Sequence, residues 1–184
     1  MIRGPAFLTP QQKLDRFDAE IAPLLAPAYN LARWLSGSHE DAEDIVQEAF
    51  LRAFAALDNL RGSAAKPWLM AIVRNTTYTW MARRGNQNAP IPDEDAVARA
   101  AETSPGPEAL ALAACDRERV RGALQELAPE FREALVLREL EGLSYKEIAA
   151  ITGTPMGTVM SRLSRGREWL KRLLSPSGKE AVEP

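Results

Sequence analysis

The side chains in this sequence that are best suited to chemistry are hydroxyl and guanidinium groups near its C-terminal end. At about 100° per residue in a helix, Ser161, Ser164 and Arg165 fall on one side, together with the small residue Gly157. A small residue lets the backbone approach a DNA groove, and arginine is the commonest bidentate partner of guanine. These residues therefore predict contacts with the base edges of duplex DNA. The same side carries Thr158, and the flanking cations that suit phosphates are Arg162, Arg167 and Lys171.

Signals for two helices and a turn surround these residues. Ser144 followed by Glu147 is the capping-box pattern that begins a helix, and Gly153 can adopt the positive φ that ends one. Thr154 is then predicted to cap a second helix whose first residue is Pro155. Together these signals predict a helix-turn-helix motif. They argue against the alternative that the basic helix is simply the solvated face of a helical bundle.

Composition excludes several other classes of protein. The 184 residues, 46% of them apolar, suffice for one large or two small domains. A single cysteine, Cys115, and a single histidine, His39, cannot supply a disulfide framework, a zinc site or a Cys–His nucleophile pair. We therefore expect no metal, no cofactor and no enzymatic activity. No apolar run approaches the length of about 20 residues that spans a bilayer, and the first residues lack the apolar core of a signal peptide. These features predict a cytoplasmic protein without membrane insertion.

Charge is distributed unevenly along the chain, although the formal net charge is only −2. Residues 38–58 are mainly acidic, whereas residues 61–90 contain bases and no acid. Residues 153–174 are basic again. Two separate basic segments predict two contacts with nucleic-acid phosphates.

Apolar residues recur at helical spacing in almost every segment, which predicts an all-α fold. Thr9 and Gln12 form a capping box that begins the first helix. Pro23 and Pro27 interrupt its apolar stripe, and a proline in a helix interior costs about 3 kcal/mol. We therefore expect a kink or break within residues 22–28.

A helix beginning at Ser38 is predicted to bury one face and to turn an acidic face outward. Two large apolar residues, Leu51 and Phe54, fall on the acidic face. They indicate either a protein-binding surface or a face that another helix of the same domain covers, and periodicity favours neither. The polar residues of this face are Asp44, Gln47, Glu48 and Arg52.

The next predicted helix, Lys66–Arg84, interleaves cations with aromatic rings and amides. Aromatic faces stack on unpaired bases and cations hold the backbone, so this composition suits single-stranded nucleic acid. Aromatic residues at helical spacing also build cores, and that alternative stays open for Trp68 and Trp80. The residues of this face are Arg74, Asn75, Tyr78, Trp80, Arg83 and Arg84.

The segment Gly85–Pro107 interrupts the helical pattern because it is rich in proline, glycine and asparagine. It predicts a flexible linker between two helical domains. After it, apolar spacing predicts helices over Glu108–Leu127 and Glu130–Leu140. The predicted organisation is a first domain at 9–85, the linker at 86–107, a second domain at 108–175 and a tail at 176–184.

Three motifs, in order, resemble those of the extracytoplasmic-function group of bacterial RNA polymerase sigma factors, within the sigma-70 family. Asp41–Phe54, reading DAEDIVQEAFLRAF, resembles the helix of that family that binds core polymerase. Trp68–Asn75, reading WLMAIVRN, resembles the segment that leads into its minus-ten reader. Leu127–Leu135, reading LAPEFREAL, resembles its minus-thirty-five reader when taken with the helix-turn-helix. The resemblance implies a sigma2-like helical bundle and a sigma4-like four-helix domain.

The resemblance also implies a function: an alternative sigma factor that joins core polymerase, reads two promoter elements and assists strand opening by capturing an extruded base. The implied partners are the β′ clamp and β flap of core RNA polymerase, promoter DNA (duplex at minus-thirty-five, single-stranded at minus-ten) and an anti-sigma factor. The implied polymerase-binding residues are Asp41, Asp44, Gln47, Glu48, Leu51, Arg52 and Phe54. The implied minus-ten residues are Arg74, Asn75, Tyr78, Thr79, Arg83 and Arg84. The implied minus-thirty-five residues are Thr158, Ser161, Arg162, Ser164, Arg165 and Arg167.

Two residues depart from the pattern of that family. Met160 stands where relatives often carry a polar or basic side chain, and Gly166 stands where alanine is common. Because Gly166 projects inward on the predicted helix, we expect it to permit close packing of another helix.

Two other functions remain open from the sequence. A sigma-like decoy would bind an anti-sigma factor without driving transcription, but this chain keeps the arginines that would contact a promoter. A conventional helix-turn-helix regulator would leave the acidic Asp41–Phe54 helix without a role.

Overall fold

The computed structural model of the chain describes residues 8–60, 62, 64–84 and 119–175. All regular elements in these ranges are helical, which confirms the prediction of an all-α fold. The predicted linker, the first part of the predicted helix Glu108–Leu127 and the predicted tail lie outside the described residues. We call the described residues up to 84 the N-terminal unit and those from 119 onward the C-terminal unit.

Three helices of the N-terminal unit, α2, α3 and α4, pack on one another around an apolar core. Leu31 of α2, Ile45 of α3 and Leu69 of α4 are fully buried in it. The elements of the unit are α1 (Pro10–Glu20), a 3₁₀ turn (Ala22–Leu24), α2 (Leu25–Ser36), α3 (His39–Ala56), a second 3₁₀ turn (Leu57–Asn59) and α4 (Ala65–Arg84).

The predicted start of α1 and the predicted break after it are both confirmed. Gln12 N donates to Thr9 Oγ1 at 3.3 Å, and Thr9 N donates to Gln12 Oε1 at 3.0 Å, which completes the capping box. Pro23 lies in the 3₁₀ turn that separates α1 from α2. Pro27 lies in the first turn of α2, where backbone N–H groups have no helical partner in any case. Neither proline therefore disrupts a helix interior.

The predicted inward face of α3 is also confirmed. The helix begins after Ser38, whose Oγ accepts a hydrogen bond from Asp41 N at 3.3 Å. The buried residues along α3 are Ala42, Ile45, Val46, Ala49 and Ala53. Because these residues hold α3 against α2 and α4, its acidic face is left on the surface.

The C-terminal unit is also helical, but one of its predicted helices changes type. The sequence predicts one helix over Glu130–Leu140, whereas the structure winds the last five residues as a π turn. Glu141 N donates to Val136 O at 3.0 Å across this wider turn. The elements are α5 (helical over 119–126), α6 (Pro129–Leu135), the π turn (Val136–Leu140), α7 (Tyr145–Thr152) and α8 (Met156–Leu174).

The first helix of the predicted helix-turn-helix begins and ends where the sequence predicts. Glu147 N donates to Ser144 Oγ at 3.3 Å, and Ser144 N donates to Glu147 Oε2 at 2.7 Å. The hydrogen bonds from Ser144 lower the pKa of the Glu147 carboxyl. Gly153 ends α7 with φ 65°, the left-handed conformation that glycine adopts without strain.

The predicted cap of the second helix is wrong by one position. Pro155 stands at the N-cap, and α8 begins at Met156. The hydroxyl of Thr154 lies 2.8 Å from the hydroxyl of Thr152, so Thr154 closes the turn and leaves the start of α8 without a side-chain cap.

Gly166 lies on the buried side of α8, as predicted. A Cβ at this position would stand 2.9 Å from Leu135 Cδ1 and 3.5 Å from Phe131 Cβ. Glycine therefore permits the close packing of α8 on α6 that the sequence predicts.

The two units contact each other through their helices. α4 packs on α7, and α2 packs on α6 and on the π turn. Lys66 Nζ lies 3.0 Å from Glu141 Oε2 and donates to Glu141 O at 2.8 Å. Arg132 Nη1 donates to Trp34 O at 3.4 Å. Charged side chains thus take part in the contact between the units.

Candidate nucleic-acid and polymerase interfaces

The outer face of α8 is open to solvent. Gly157, Ser161, Ser164 and Arg165 are all exposed, and Ser161 Oγ donates to Thr158 O at 2.9 Å. Its apolar residues Met156 and Met160 are also exposed, at 50% and 46%. The structure therefore brings together on one exposed strip the small, hydroxylated and guanidinium groups that the sequence places there.

Two cations of this face carry no competing carboxylate. Within the described residues, no acid lies at salt-bridge distance from Arg162 or Arg165. Arg167 differs, because its Nε and Nη2 donate to Glu139 Oε1 at 3.0 and 2.6 Å. This hydrogen bond raises the pKa of the Arg167 guanidinium. Arg167 is therefore occupied by a carboxylate, whereas Arg162 and Arg165 are not paired with an acid in the described residues.

The middle of α4 meets the C-terminal unit, so its polar face is not free. Arg74 Nε lies 2.5 Å from Glu133 Oε1 and its Nη2 lies 3.4 Å from Glu133 Oε2. The Arg74 guanidinium also stands over the Tyr78 ring, 4.7 Å from its centroid. Arg74 Nη1 donates to Asn75 Oδ1 at 3.4 Å, and Thr79 Oγ1 donates to Asn75 O at 2.8 Å. Four of the predicted minus-ten residues therefore form one cluster.

Both burial and the charges of this cluster affect the pKa of Tyr78. Burial, followed by the negative charge of Glu133, raises the pKa of the Tyr78 phenol to about 12. The phenol therefore stays protonated at neutral pH.

The end of α4 carries the remaining two arginines, and both pair with α3. Arg83 Nη1 lies 3.7 Å from Glu48 Oε1, and Arg84 contacts the carboxylate of Asp41. Both arginines are more than half exposed, so these pairs are weak and exchange readily with solvent ions. All three predicted minus-ten arginines thus have a carboxylate partner in the chain, and only that of Arg74 is buried.

On the acidic face of α3, Leu51 and Phe54 fit different alternatives of the two that the sequence leaves open. Leu51 is 67% exposed, and no other helix of the described residues covers it. Phe54, by contrast, is half-buried, which agrees with the alternative that another helix of the same domain covers it. α1 folds back across α3 and places the Phe17 ring 5.3 Å from the Phe54 ring, with Lys13 Nζ 5.4 Å from its centroid.

The polar residues of α3 mostly stay accessible. Asp44, Gln47 and Arg52 are exposed, while Asp41 and Glu48 are half-exposed because of the arginines that they bind. An apolar residue, Leu51, ringed by carboxylates and an arginine is typical of a surface that binds another protein.

Trp68 and Trp80 have the structural role that the sequence leaves as an alternative. Both are half-buried and pack against the apolar core. Neither belongs to the cluster around Arg74.

Two residues of α6 have structural roles that the sequence pattern does not indicate. Glu133 is only 1% exposed. Arg132 donates to Leu124 O at 2.9 Å and to Leu127 O at 3.0 Å, and burial lowers the pKa of its guanidinium. The ion pair of Glu133 has no local signal, because its partner lies 59 residues away in the chain.

Two further features are absent from the described ranges. No helix there combines the length and apolarity that a membrane span requires. No group of three or more His, Cys, Asp or Glu side chains there is arranged to hold a metal ion.

Two family models match the chain: sigma-70 region 2 over residues 20–87 and sigma-70 region 4 over residues 117–170. The first match contains α2, α3 and α4, and the second contains the helix-turn-helix. Solved structures agree. The sigma factor RpoE in complex with the anti-sigma factor NepR from Bartonella quintana has a TM-score of 0.73 and 32% identity, over 89% of this chain and 99% of that one. CnrH in complex with the cytosolic domain of CnrY has a TM-score of 0.60 and 26% identity, over 88% of each chain.

Curated relatives are similar along most of the sequence. The chain is 40% identical to the RNA polymerase sigma-H factor of Pseudomonas aeruginosa over 92% of its length and 94% of that protein. It is 41% identical to the ECF RNA polymerase sigma-E factor of Escherichia coli over 74% of its length and 75% of that protein. It is 39% identical to the ECF RNA polymerase sigma factor SigE of Mycolicibacterium smegmatis and spans 60% of that protein. The chain belongs to the extracytoplasmic-function group of RNA polymerase sigma factors, the non-enzymatic subunits that recognise promoter DNA.

Proposed function

We propose that this chain is an alternative sigma factor that binds core RNA polymerase and directs initiation at promoters with a minus-ten and a minus-thirty-five element. The observation that carries the proposal is the outer face of α8. An exposed strip of small, hydroxylated and guanidinium groups on the second helix of a helix-turn-helix fits the major groove of duplex DNA.

On α8, the roles follow from exposure and charge. Ser161, Ser164 and Arg165 reach base edges, and Arg165 is the strongest candidate for a guanine. Thr158 lies beside them. Arg162 and Arg167 bind phosphates, which fix the register of the helix without reading sequence.

On α4, the cluster around Arg74 suits an unpaired base. Asn75 is exposed and offers an amide to a base edge, Thr79 supports it, and the Tyr78 ring offers a stacking face. Arg74 would hold the adjoining phosphate. Arg83 and Arg84, at the end of the helix, would exchange their carboxylate partners for further phosphates. Capture of an extruded base offsets part of its cost of unstacking, so strand opening needs no catalytic group.

On α3, the exposed face is the proposed contact with the β′ clamp of the polymerase. Leu51 supplies the apolar centre and Asp44, Gln47 and Arg52 the polar rim. Asp41 and Glu48 join this face when they release Arg84 and Arg83. Phe54 contributes by holding α1 in place behind it. The β flap is the proposed partner of the C-terminal unit.

The proposed domain bounds are those that the sequence predicts: 9–85 for polymerase binding and the minus-ten element, 86–107 for the linker, 108–175 for the minus-thirty-five element, and 176–184 for the tail. The two similar solved sigma factors are each bound to a protein partner. We propose that this chain is likewise held by an anti-sigma factor and that it acts in the cytoplasm, where core polymerase is found.

The test is run-off transcription with purified core polymerase on a library of promoters. The proposal expects transcripts that start at defined positions and share two upstream elements. Transcription no higher than that of core polymerase alone on every template would overturn it. Binding of an anti-sigma factor without any initiation would favour the decoy function instead.

A further inference from the structure

We propose that Glu133 is a latch that closes the two units on each other and occupies the minus-ten surface, so that single-stranded promoter DNA and α6 compete for Arg74 and Tyr78. The proposal rests on the proposed function of those two residues in binding DNA. It adds to that function an internal competitor and the residue that provides it.

The burial of Glu133 is the first argument. Its side chain is 2% exposed, and Arg74 is 21% exposed. A carboxylate removed from water is costly unless it is paired and hydrogen-bonded. Glu133 lies on a helix of the C-terminal unit, yet its ion pair is with α4 of the N-terminal unit. The carboxylate thus acquires its partner only when the units close.

The chemistry of the contact is the second argument. Arg74 presents two nitrogens, Nε and Nη2, to the two oxygens of Glu133 at 2.5 and 3.4 Å. A guanidinium binds a phosphate through the same paired geometry. The Tyr78 ring lies beneath that guanidinium, 4.7 Å from it, and the negative charge of Glu133 contributes to the raised pKa of its phenol. Glu133 therefore occupies the guanidinium that would hold a phosphate, directly beside the ring that would stack a base.

The surrounding contacts are the third argument. Lys66 with Glu141 and Arg132 with Trp34 O join the same two units as the Glu133 pair does. α6 cannot leave Arg74 without loosening this set of contacts. Release of the latch is therefore a separation of the units and not the rotation of one side chain.

The outer face of α8 is unaffected by closure, because Ser161, Ser164 and Arg165 remain exposed in the closed chain. The latch therefore masks one promoter element and leaves the other free. This asymmetry allows the two kinds of DNA to serve as each other's controls.

The experiment compares two substitutions that break the same ion pair, Glu133→Gln and Arg74→Gln, in the full chain. Both are expected to open the chain, which small-angle X-ray scattering records as a larger radius of gyration. Their effects on DNA should be opposite, because only Glu133→Gln leaves Arg74 for a phosphate. When the open form is a minor population of up to about 10%, its release tightens binding by about tenfold or more.

Binding is measured by fluorescence anisotropy with a random-sequence single-stranded DNA pool and with a random-sequence duplex pool. Glu133→Gln should tighten single-strand binding by about tenfold and leave duplex binding unchanged, whereas Arg74→Gln should weaken single-strand binding. The matched control is Glu130→Gln, which makes the same charge change on α6 and has no ion-pair partner among the described residues. It should behave like the unsubstituted chain.

Equal radii of gyration for Glu133→Gln and the unsubstituted chain would overturn the latch. So would equal single-strand affinities, or a parallel loss of affinity in both Glu133→Gln and Arg74→Gln with reduced helicity in circular dichroism. Failure of the proposed function has a different signature: the chain opens on Glu133→Gln, but no promoter in the library is transcribed.

Discussion

The outer face of α8 and the polar face of α4 are both basic, but they differ in whether their arginines are paired with carboxylates of the chain. Arg162 and Arg165 on α8 face solvent with no carboxylate nearby in the described part of the chain, whereas Arg74, Arg83 and Arg84 on α4 each bind one. A convex helix that reads duplex DNA can stay hydrated when it is unbound. A cluster that combines a half-buried arginine with an aromatic ring cannot, because a partly desolvated guanidinium requires an anion. The surface that we propose to hold an unpaired base therefore binds the chain's own carboxylates in the absence of DNA.

The largest expected effect comes from the inward side of α8, which supports its open face. Gly166→Leu should lower the free energy of unfolding by about 1 to 3 kcal/mol, because the added side chain overpacks against Leu135. Gly157→Leu is the matched control, since a Cβ there meets no atom within 4 Å. Urea unfolding of both variants measures the difference. Equal midpoints would contradict the assignment of an inward and an outward side.

Arg165→Ala and Arg167→Ala test the proposed roles of the exposed face of α8. Arg165→Ala should reduce discrimination between selected and random duplexes by about 1 to 3 kcal/mol, because a base contact is lost. Arg167→Ala should weaken both duplexes alike and flatten the salt dependence, as loss of a phosphate contact does. Its effect is smaller, since Arg167 gives up Glu139 in order to bind. Titration of the variants with each duplex at several salt concentrations separates the two roles, and identical profiles would contradict them.

On α3, Leu51 is exposed whereas Phe54 is covered by Phe17 of α1, so the two residues give a second comparison of an exposed with a covered position. Leu51→Asp should weaken binding to core polymerase by about tenfold, equivalent to about 1.4 kcal/mol, without changing the melting temperature. Phe54→Asp should lower the melting temperature as well, because it breaks the contact with Phe17. Fluorescence titration with core polymerase and calorimetry provide the two readings. A Phe54→Asp variant that melts like the unsubstituted chain would show that α1 does not cover this residue.

The smallest expected effect is a shift in the pKa of Tyr78 on the polar face of α4. An ordinary tyrosine titrates near pH 10, whereas the buried position beside Glu133 raises the pKa of Tyr78 to about 12. Because the closed chain holds this proton more tightly, closure weakens as the pH rises between these two values. Absorbance titration of the chain against Tyr78→Phe isolates this phenol. In Glu133→Gln its pKa should return toward the ordinary value, and an unchanged midpoint would mean that the interface does not bury it.

Local features of the fold were predictable because their causes lie within a few residues. The capping boxes of Thr9 with Gln12 and of Ser144 with Glu147 each join positions three apart, and Gly153 ends α7 by its own conformational freedom. The one local error, the cap of α8, arose because the Thr154 hydroxyl bonds to Thr152. Competition between two short-range hydrogen bonds is not resolved by a pattern.

Distant contacts were not predictable in the same way. Phe54 lies on the face that periodicity assigns to solvent, and it is covered only because the break after α1 sends Phe17 back across α3. Glu133 reads as an ordinary surface acid of α6. Nothing near it in sequence indicates a partner on α4.

The sequence by itself determined the helices, the helix-turn-helix, the inward position of Gly166 and the residue types that each DNA-binding face would carry. These follow from side-chain periodicity and from hydrogen bonds between near neighbours. Only the tertiary structure decided which of those faces is open and which is occupied. That state depends on how buried charges such as Glu133 find partners across the interface between the two units, because a desolvated carboxylate is stable only where the folded chain supplies its cation.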